Sequence, residues 1–410
     1  MKKVLPLLVG QSFASGSAFL TGIFVARSLG IESFGIFAIL ALFAALMQNI
    51  QRASIGTPYA SITPKLSEAD RPEFLSFTLF IQVSFILSIV FLILAVWITP
   101  ATHRALDPYS KHFPMLIVMV IFYQLHEFGR RYYITNLDLV TAMFMDILRY
   151  IPQIAGVLII SMFQLADTLN SVSGYLAVLT LSAAIGTLPA LPVLKIRYQH
   201  RNRILAQSKE FLTFSRWMFA NTLTQWLSGD FYFFLTGALL GPIAVGGLKA
   251  AQNLVGIAHI FFQVTESYLL PRLSAMISTN GLPAALHLFK QVTGITLMGT
   301  LILTTPMMIS PQFMMNSVFG EGYVEQSYVL RFFAIGYSMN CISVCLKIFL
   351  NALSKPNLVF AANAISAAIS IGSSYILIIK FGLPGAVTGI FISFIINFCI
   401  LSVLFSRQSN

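Results

Sequence analysis

Charge-free apolar segments of bilayer length recur along this chain, and they set the limits on its fold. Residues 74–97 are 24 residues without an ionisable side chain, 358–379 are 22, and 383–405 are 23. About 20 apolar residues in a helix cross a hydrocarbon layer of roughly 30 Å. Backbone inside that layer must satisfy its own hydrogen bonds, so only helices and closed barrels can span it. Barrel strands would read as alternating segments of about ten residues. These runs are apolar on every face, which makes the chain an all-α integral membrane protein.

Apolar residues are 57% of the chain and charged residues 10%, against about 25% charged in soluble domains. The pattern predicts twelve spans, at 4–26, 35–57, 74–98, 113–134, 139–162, 172–194, 211–240, 243–270, 286–309, 326–352, 357–379 and 383–405. The opening Met1-Lys2-Lys3 and the apolar run behind it resemble a signal peptide, but the run continues past Gln11, Ser12 and Ser15 and leads into another span. It is expected to be the first transmembrane helix. With these spans, fifteen Lys and Arg count to one side, in its connections or, for Arg130, Arg131 and Lys290, at the span ends facing it, and four to the other. Positive charge stays inside, so both termini are expected in the cytoplasm, and the net charge of +11 reads as a topology signal with no nucleic-acid partner implied. Cys341, Cys345 and Cys399 lie in apolar segments, with Cys341 and Cys345 placed to share a helix face. They have no metal-ligand spacing with His, and no cofactor is called for.

A basic run, Lys195-Ile-Arg-Tyr-Gln-His-Arg-Asn-Arg203, divides the chain nearly in half. It suits a cytoplasmic linker touching anionic lipid head groups. Two short motifs recur on either side of it. Leu29-Gly30-x4-Gly35 is matched by Leu240-Gly241-x4-Gly246, and Pro64-Lys65-Leu66-Ser67 by Pro271-Arg272-Leu273-Ser274. The order is kept, at offsets of 211 and 207 residues. The expected organisation is a six-helix lobe over 1–194, a basic linker over 195–210 and a second six-helix lobe over 211–410. Both lobes begin on the same side, which describes a parallel pseudo-two-fold repeat about the membrane normal.

An ionised side chain at the bilayer centre costs at least about 2.5–3.5 kcal/mol, so each one within a span needs a reason. Glu127 precedes Arg130 and Arg131 by three and four residues, and Asp146 precedes Arg149 by three, so pairing within each helix is expected. Lys347, Arg216 and Arg331 lie close enough to span ends to snorkel. Arg52 follows Gln48, Asn49 and Gln51, and Lys249 lies within reach of Asp230 across a helical hairpin. For these three, structural pairing and the lining of a wet cavity both remain open. Gln252, Gly256, His259, Gln263 and Glu266 fall at steps of four, three, four and three, along one helical face. Asn221, Gln225 and Ser228 form a shorter version in the preceding span. Such stripes line a water-filled path or a helix contact. Asp230, His259 and Glu266 are the candidates for proton or cation coupling.

The sequence has no G-x-x-x-x-G-K-[ST] loop, no H-E-x-x-H, no G-x-S-x-G and no Cys/His cluster, and the longest predicted gap between spans is 16 residues. Any enzyme would have to work with intramembrane groups alone, so a non-enzymatic transporter is the reading.

Ala26-Arg27-Ser-Leu-Gly30-Ile-Glu-Ser-Phe-Gly35 resembles the opening of polysaccharide export flippases. These form the O-antigen (Wzx-type) branch of the multidrug/oligosaccharidyl-lipid/polysaccharide superfamily. Phe319-Gly320-x2-Tyr323, Asn351-Ala352-x3-Pro356 and Phe381-Gly382-Leu-Pro-Gly385-Ala386 resemble the late helices and turns of that family. The resemblance implies two six-helix lobes around a cationic cavity in the bacterial inner membrane. It also implies a flippase that moves undecaprenyl-pyrophosphate-linked oligosaccharide from the cytoplasmic to the periplasmic leaflet by alternating access. Arg27 and Arg52 resemble positions at which relatives that flip the peptidoglycan precursor carry arginines, although those relatives have fourteen spans. The substrate-binding candidates are Arg52, Lys249, Arg27 and Arg149, with Gln252, Gln263, Asn221 and Gln225 as polar lining. The implied partners are the lipid-linked oligosaccharide, membrane lipids and other polysaccharide assembly proteins. The rival readings are a multidrug or cation antiporter of the same superfamily and a membrane-embedded glycan polymerase or ligase.

Overall fold

The computed structural model describes residues 5–99, 106–163, 170–193 and 205–409, and among these it is helical with no strand. The first helix, α1 (Leu5–Gln51), is 47 residues long. At about 1.5 Å per residue it would reach roughly 70 Å, more than twice a hydrocarbon layer. It breaks at Gly30 (φ 73°, ψ 173°), a left-handed conformation that a side chain resists. A π-helical turn (Arg52–Gly56), α2 (Thr57–Ile62) and a 3-10 turn (Thr63–Lys65) complete the second pass. Then come α3 (Arg71–Ile98), the short α4 (Asp107–Ser110), α5 (Phe113–Thr135), α6 (Leu139–Phe163) and α7 (Val172–Thr187).

The second half comprises α8 (Leu205–Ser228), α9 (Phe231–Leu240), α10 (Pro242–Val255), α11 (His259–Thr279), α12 (Gly281–Ile309), the short α13 (Pro311–Phe319), α14 (Ser327–Ala352) and α15 (Pro356–Ser409). The last of these breaks at Gly382 (φ 61°, ψ −138°). Among the described residues, seven helical stretches are long and apolar enough to cross a membrane. Two of them, of 61 and 53 residues, contain the Gly30 and Gly382 breaks.

Three expectations need correction. The seventh and eighth predicted spans are each interrupted, at Gly229 and Asp230 and at a 3-10 turn over Gly256–Ala258. Glycine is the weakest helix former after proline, and each interruption contains one. The Pro-Arg-Leu-Ser copy does not lie beyond its helix, as the predicted span end at 270 implied. Pro271 lies inside α11, which runs on to Thr279, whereas its counterpart Pro64 sits in the 3-10 turn that ends a pass. The basic linker lies mostly outside the described residues, and positions 205–210 belong to α8.

The chain folds as two compact units, one of residues 1–29 and 36–223, the other of 30–35 and 224–410. The division thus falls within α8 rather than at the basic run. The first unit has an aromatic cluster of Tyr59, Phe74, Phe77, Phe128 and Phe211, with Tyr59 and Phe74 stacked at 6.0 Å. The second packs Phe289, Phe349 and Phe405 with centroids 5.0–5.2 Å apart. Lipid tails are as apolar as these side chains, so close packing rather than escape from water holds the helices, and each ring pair adds about 0.5–1.5 kcal/mol.

Within the second unit the two copies of the Leu-Gly-x4-Gly motif meet. Gly30 and Gly241 share nearly the same conformation, with φ 73° and 84° and ψ 173° and −178°. A methyl added to Gly35 would overlap the carbonyl oxygen of Pro242, and one added to Gly246 would overlap that of Ile31. Ile31 and Pro242 are the residues directly after Gly30 and Gly241. The contact is therefore reciprocal, position for position.

Candidate functional site

In the first unit a charged network joins α1, the π turn, α5 and α6. A π turn admits one extra residue and re-aims the side chains around it. Here it leaves the Arg52 carbonyl to accept the Thr57 amide and, at 2.9 Å, the Thr57 hydroxyl. The Arg52 guanidinium grips Glu127 with both arms, Nε to Oε1 at 2.9 Å and Nη2 to Oε2 at 3.3 Å. The amide of Gln48 also donates to Glu127, at 3.4 Å. The Glu127 side chain is 5% exposed and that of Arg52 is 44% exposed, so the pair has one wet end.

The pairings expected within single helices are replaced by pairings between helices. Glu127 takes Arg52 in place of Arg130 or Arg131, and Asp146 takes Arg130, at 2.8 Å, in place of Arg149. Both carboxylates are buried in the bundle. A neighbouring helix can point a guanidinium straight at a buried face, whereas a residue one turn along the same helix reaches it only along the flank.

Arg149 is 3% exposed and makes no ion pair among the described residues. Its guanidinium lies over the Tyr123 ring at 4.0 Å and over the Tyr150 ring at 5.1 Å. One arm donates to His126 Nδ1 at 3.1 Å, and Arg149 Nε has no partner. His126 in turn faces the Met145 carbonyl through Nε2 at 3.4 Å. Gly186 makes room for this stack, because a methyl there would press on Arg149 Cβ at 2.7 Å and His126 Cδ2 at 2.9 Å. Next to Arg52 in the chain, Gln51 joins three buried glutamines from three helices: it donates to Gln82 at 3.0 Å and to the Gln124 carbonyl at 3.3 Å. The Arg131 side chain packs against Gly56 of the π turn, so four arginines (52, 130, 131 and 149) gather around two carboxylates, an excess of two formal positive charges among the described residues.

Among the described residues, the remaining candidates of the first unit make no ion pair with this network. Arg27 is exposed just before the Gly30 break, and Asn221 is half-buried on α8. In the second unit Lys249 donates to Gln252 Oε1 at 2.6 Å and lies 5.1 Å from the Phe233 ring centroid. The ion pair with Asp230, one of the two readings the sequence left open, is absent among the described residues. His259 Nε2 faces the Tyr337 hydroxyl at 3.2 Å. His259, Gln263 and Glu266 form an exposed line on α11, Gln225 is exposed on α8, and Asp230 is half-buried. Arg272 stacks on Tyr268, 4.9 Å from its centroid. Sequence reasoning used Arg130 and Arg131 as topology charges and helix partners of Glu127, and passed over Tyr123, Gln124 and His126. The missed signal was a polar stripe on α5, where 123, 127, 130 and 124, 127, 131 recur at helical spacing.

This helical fold is similar to folds solved for membrane transporters. The chain is similar in fold to the lipid II flippase MurJ in its inward closed conformation, with a TM-score of 0.75 and 14% identity over 99% of this chain and 87% of that one. A multidrug resistance MATE family transporter of the MOP superfamily, in an inward-facing conformation, gives a TM-score of 0.74 and 14% identity over 99% and 98%. Residues 1–277 match the polysaccharide biosynthesis protein family, and the chain belongs to that family. It is 23% identical over 401 residues to the probable low-salt glycan biosynthesis flippase Agl15 of Haloferax volcanii, covering 95% of this chain and 80% of the relative.

Proposed function

We propose that this protein flips an undecaprenyl-pyrophosphate-linked oligosaccharide, a repeat unit of O-antigen or another surface polysaccharide, from the cytoplasmic to the periplasmic leaflet by alternating access. The observation that carries the reading is the cationic network of the first unit, with Arg149 unpaired and Arg52 half open. A pyrophosphate leaving water needs charge-assisted donors, and guanidinium forks match its oxygens. In the second unit, Lys249, Gln252 and the exposed line of α11 would offer polar donors and acceptors of their own, with Asp230, His259 and Glu266 as coupling groups. The family and the flippase relative support a glycan cargo over a drug.

Arg52→Ala alone is an ambiguous test, because it strands the buried Glu127 charge, and breaking such a pair costs about 3–5 kcal/mol. The pair Arg52→Met with Glu127→Met removes both charges together. In a strain lacking the protein, this double variant is expected to reach the membrane in normal amount and to leave lipid-linked glycan on the cytoplasmic leaflet. Surface glycan at the wild-type level would mean that Arg52 only neutralises Glu127, and the assignment would fall.

A further inference from the structure

An apolar groove of about 420 Å³ lies on the first unit, lined by Leu5, Val9, Phe13, Gly16, Leu20 and Ile154, with Ser12 and Ser17 beside them. Leu5 to Leu20 is a rise of about 22 Å along the helix. Its register against the charged network is fixed by two contacts between α1 and α6: Gly10 packs on the Asp146 carboxylate, and Gln153 donates to Thr21 at 3.1 Å. Arg149 lies between those two levels, about 7.5 Å along α6 from Ile154. The groove therefore runs at the depth of the excess positive charge and within the same compact unit.

We propose that this groove holds the polyisoprenoid tail of the carried lipid while the network holds its pyrophosphate. The inference rests on the flippase reading and extends it to the apolar half of the substrate. A 150 Å³ apolar cavity takes up benzene, so 420 Å³ has room for roughly seventeen carbons, about three isoprene units. The wall suits a methyl-branched chain. Small residues at 12, 16 and 17 alternate with bulky ones at 9, 13 and 20, and the space above Gly16 is open. A carrier that grips only the head group leaves the tail to bulk lipid. One unit that fits both halves recognises the amphiphile as a whole.

The test is photocrosslinking in native membrane vesicles with sugar-free undecaprenyl phosphate bearing a diazirine near the middle of its tail. Label is expected on residues 5–20 and at Ile154, displaced by undecaprenyl pyrophosphate and not by phosphatidylethanolamine. Gly16→Phe fills the groove and is expected to lower labelling and glycan flipping by at least about tenfold, equivalent to roughly 1.4 kcal/mol. Leu87→Phe, on an exposed face of α3, is expected to change neither. Even labelling of all exposed apolar faces, or equal displacement by phosphatidylethanolamine, would identify the groove as a boundary-lipid site and overturn the inference. So would wild-type flipping by Gly16→Phe, and in that case the flippase reading would stand. A wild-type protein that moves no lipid-linked glycan would instead remove the flippase reading.

Discussion

Arg149 shows how much of this site depends on single side chains. It is shut away between two tyrosine rings and an imidazole, with Nε unpartnered. Lysine would keep the charge and lose the flat face and the fork. Arg149→Lys is expected to lower stability by about 1–3 kcal/mol, from the ring contacts and a buried bond left unmade, and to reduce glycan flipping with it. Thermal unfolding in detergent and a vesicle flipping assay measure the two separately. At this scale the sequence was half legible. Arg52 stood out because Gln48, Asn49 and Gln51 precede it in an apolar span. Its partner did not, because which acid meets which arginine depends on the rotation of one helix against another. Helical spacing favoured Arg149 for Asp146, and packing chose Arg130.

Among the elements, the apolar helices were the most legible, because a bilayer enforces their length. Their interruptions were less so. The glycines at 229 and 256 were visible, but a glycine inside a span is tolerated as often as it breaks one, and the π turn at Arg52–Gly56 has no sequence signature of its own. The connection between α4 and α5 makes a pH prediction. His112, just before α5, bonds through Nδ1 to Ser173 Oγ of α7 at 2.7 Å. Burial, with the Lys111 charge beside it, lowers its pKa to about 4, against about 6.5 in an unfolded chain. Between these values the unfolded chain binds the proton and the folded one refuses it. The stabilisation is therefore full above about pH 6.5 and is lost as the pH falls toward 4. The unfolding temperature is expected to drop between pH 7 and pH 5, and His112→Gln is expected to flatten that drop. An unchanged slope in the variant would assign the effect to other groups.

For the whole molecule, the two motifs spaced about 210 residues apart were readable in the sequence. Their meeting was not, since an offset along the chain carries no information about contact. Gly35→Ala and Gly246→Ala each push a methyl into a backbone carbonyl, which cannot swing aside. Both are expected to lower the unfolding temperature markedly, while Gly294→Ala, in open space on α12, is expected to be neutral. Similar unfolding temperatures for all three would mean that the clasp is loose. The division of the chain was only partly legible, because the basic run marked a midpoint and α8 runs across the actual boundary. The two uncancelled charges of the arginine network have an electrical consequence. A charge that crosses the full field of a 100 mV membrane voltage exchanges about 2.3 kcal/mol with it. A voltage negative on the inside therefore pulls the empty network inward, and a dianion seated there cancels the pull. On the proposed function, this voltage is expected to reset the unloaded carrier and leave the loaded one free to turn outward.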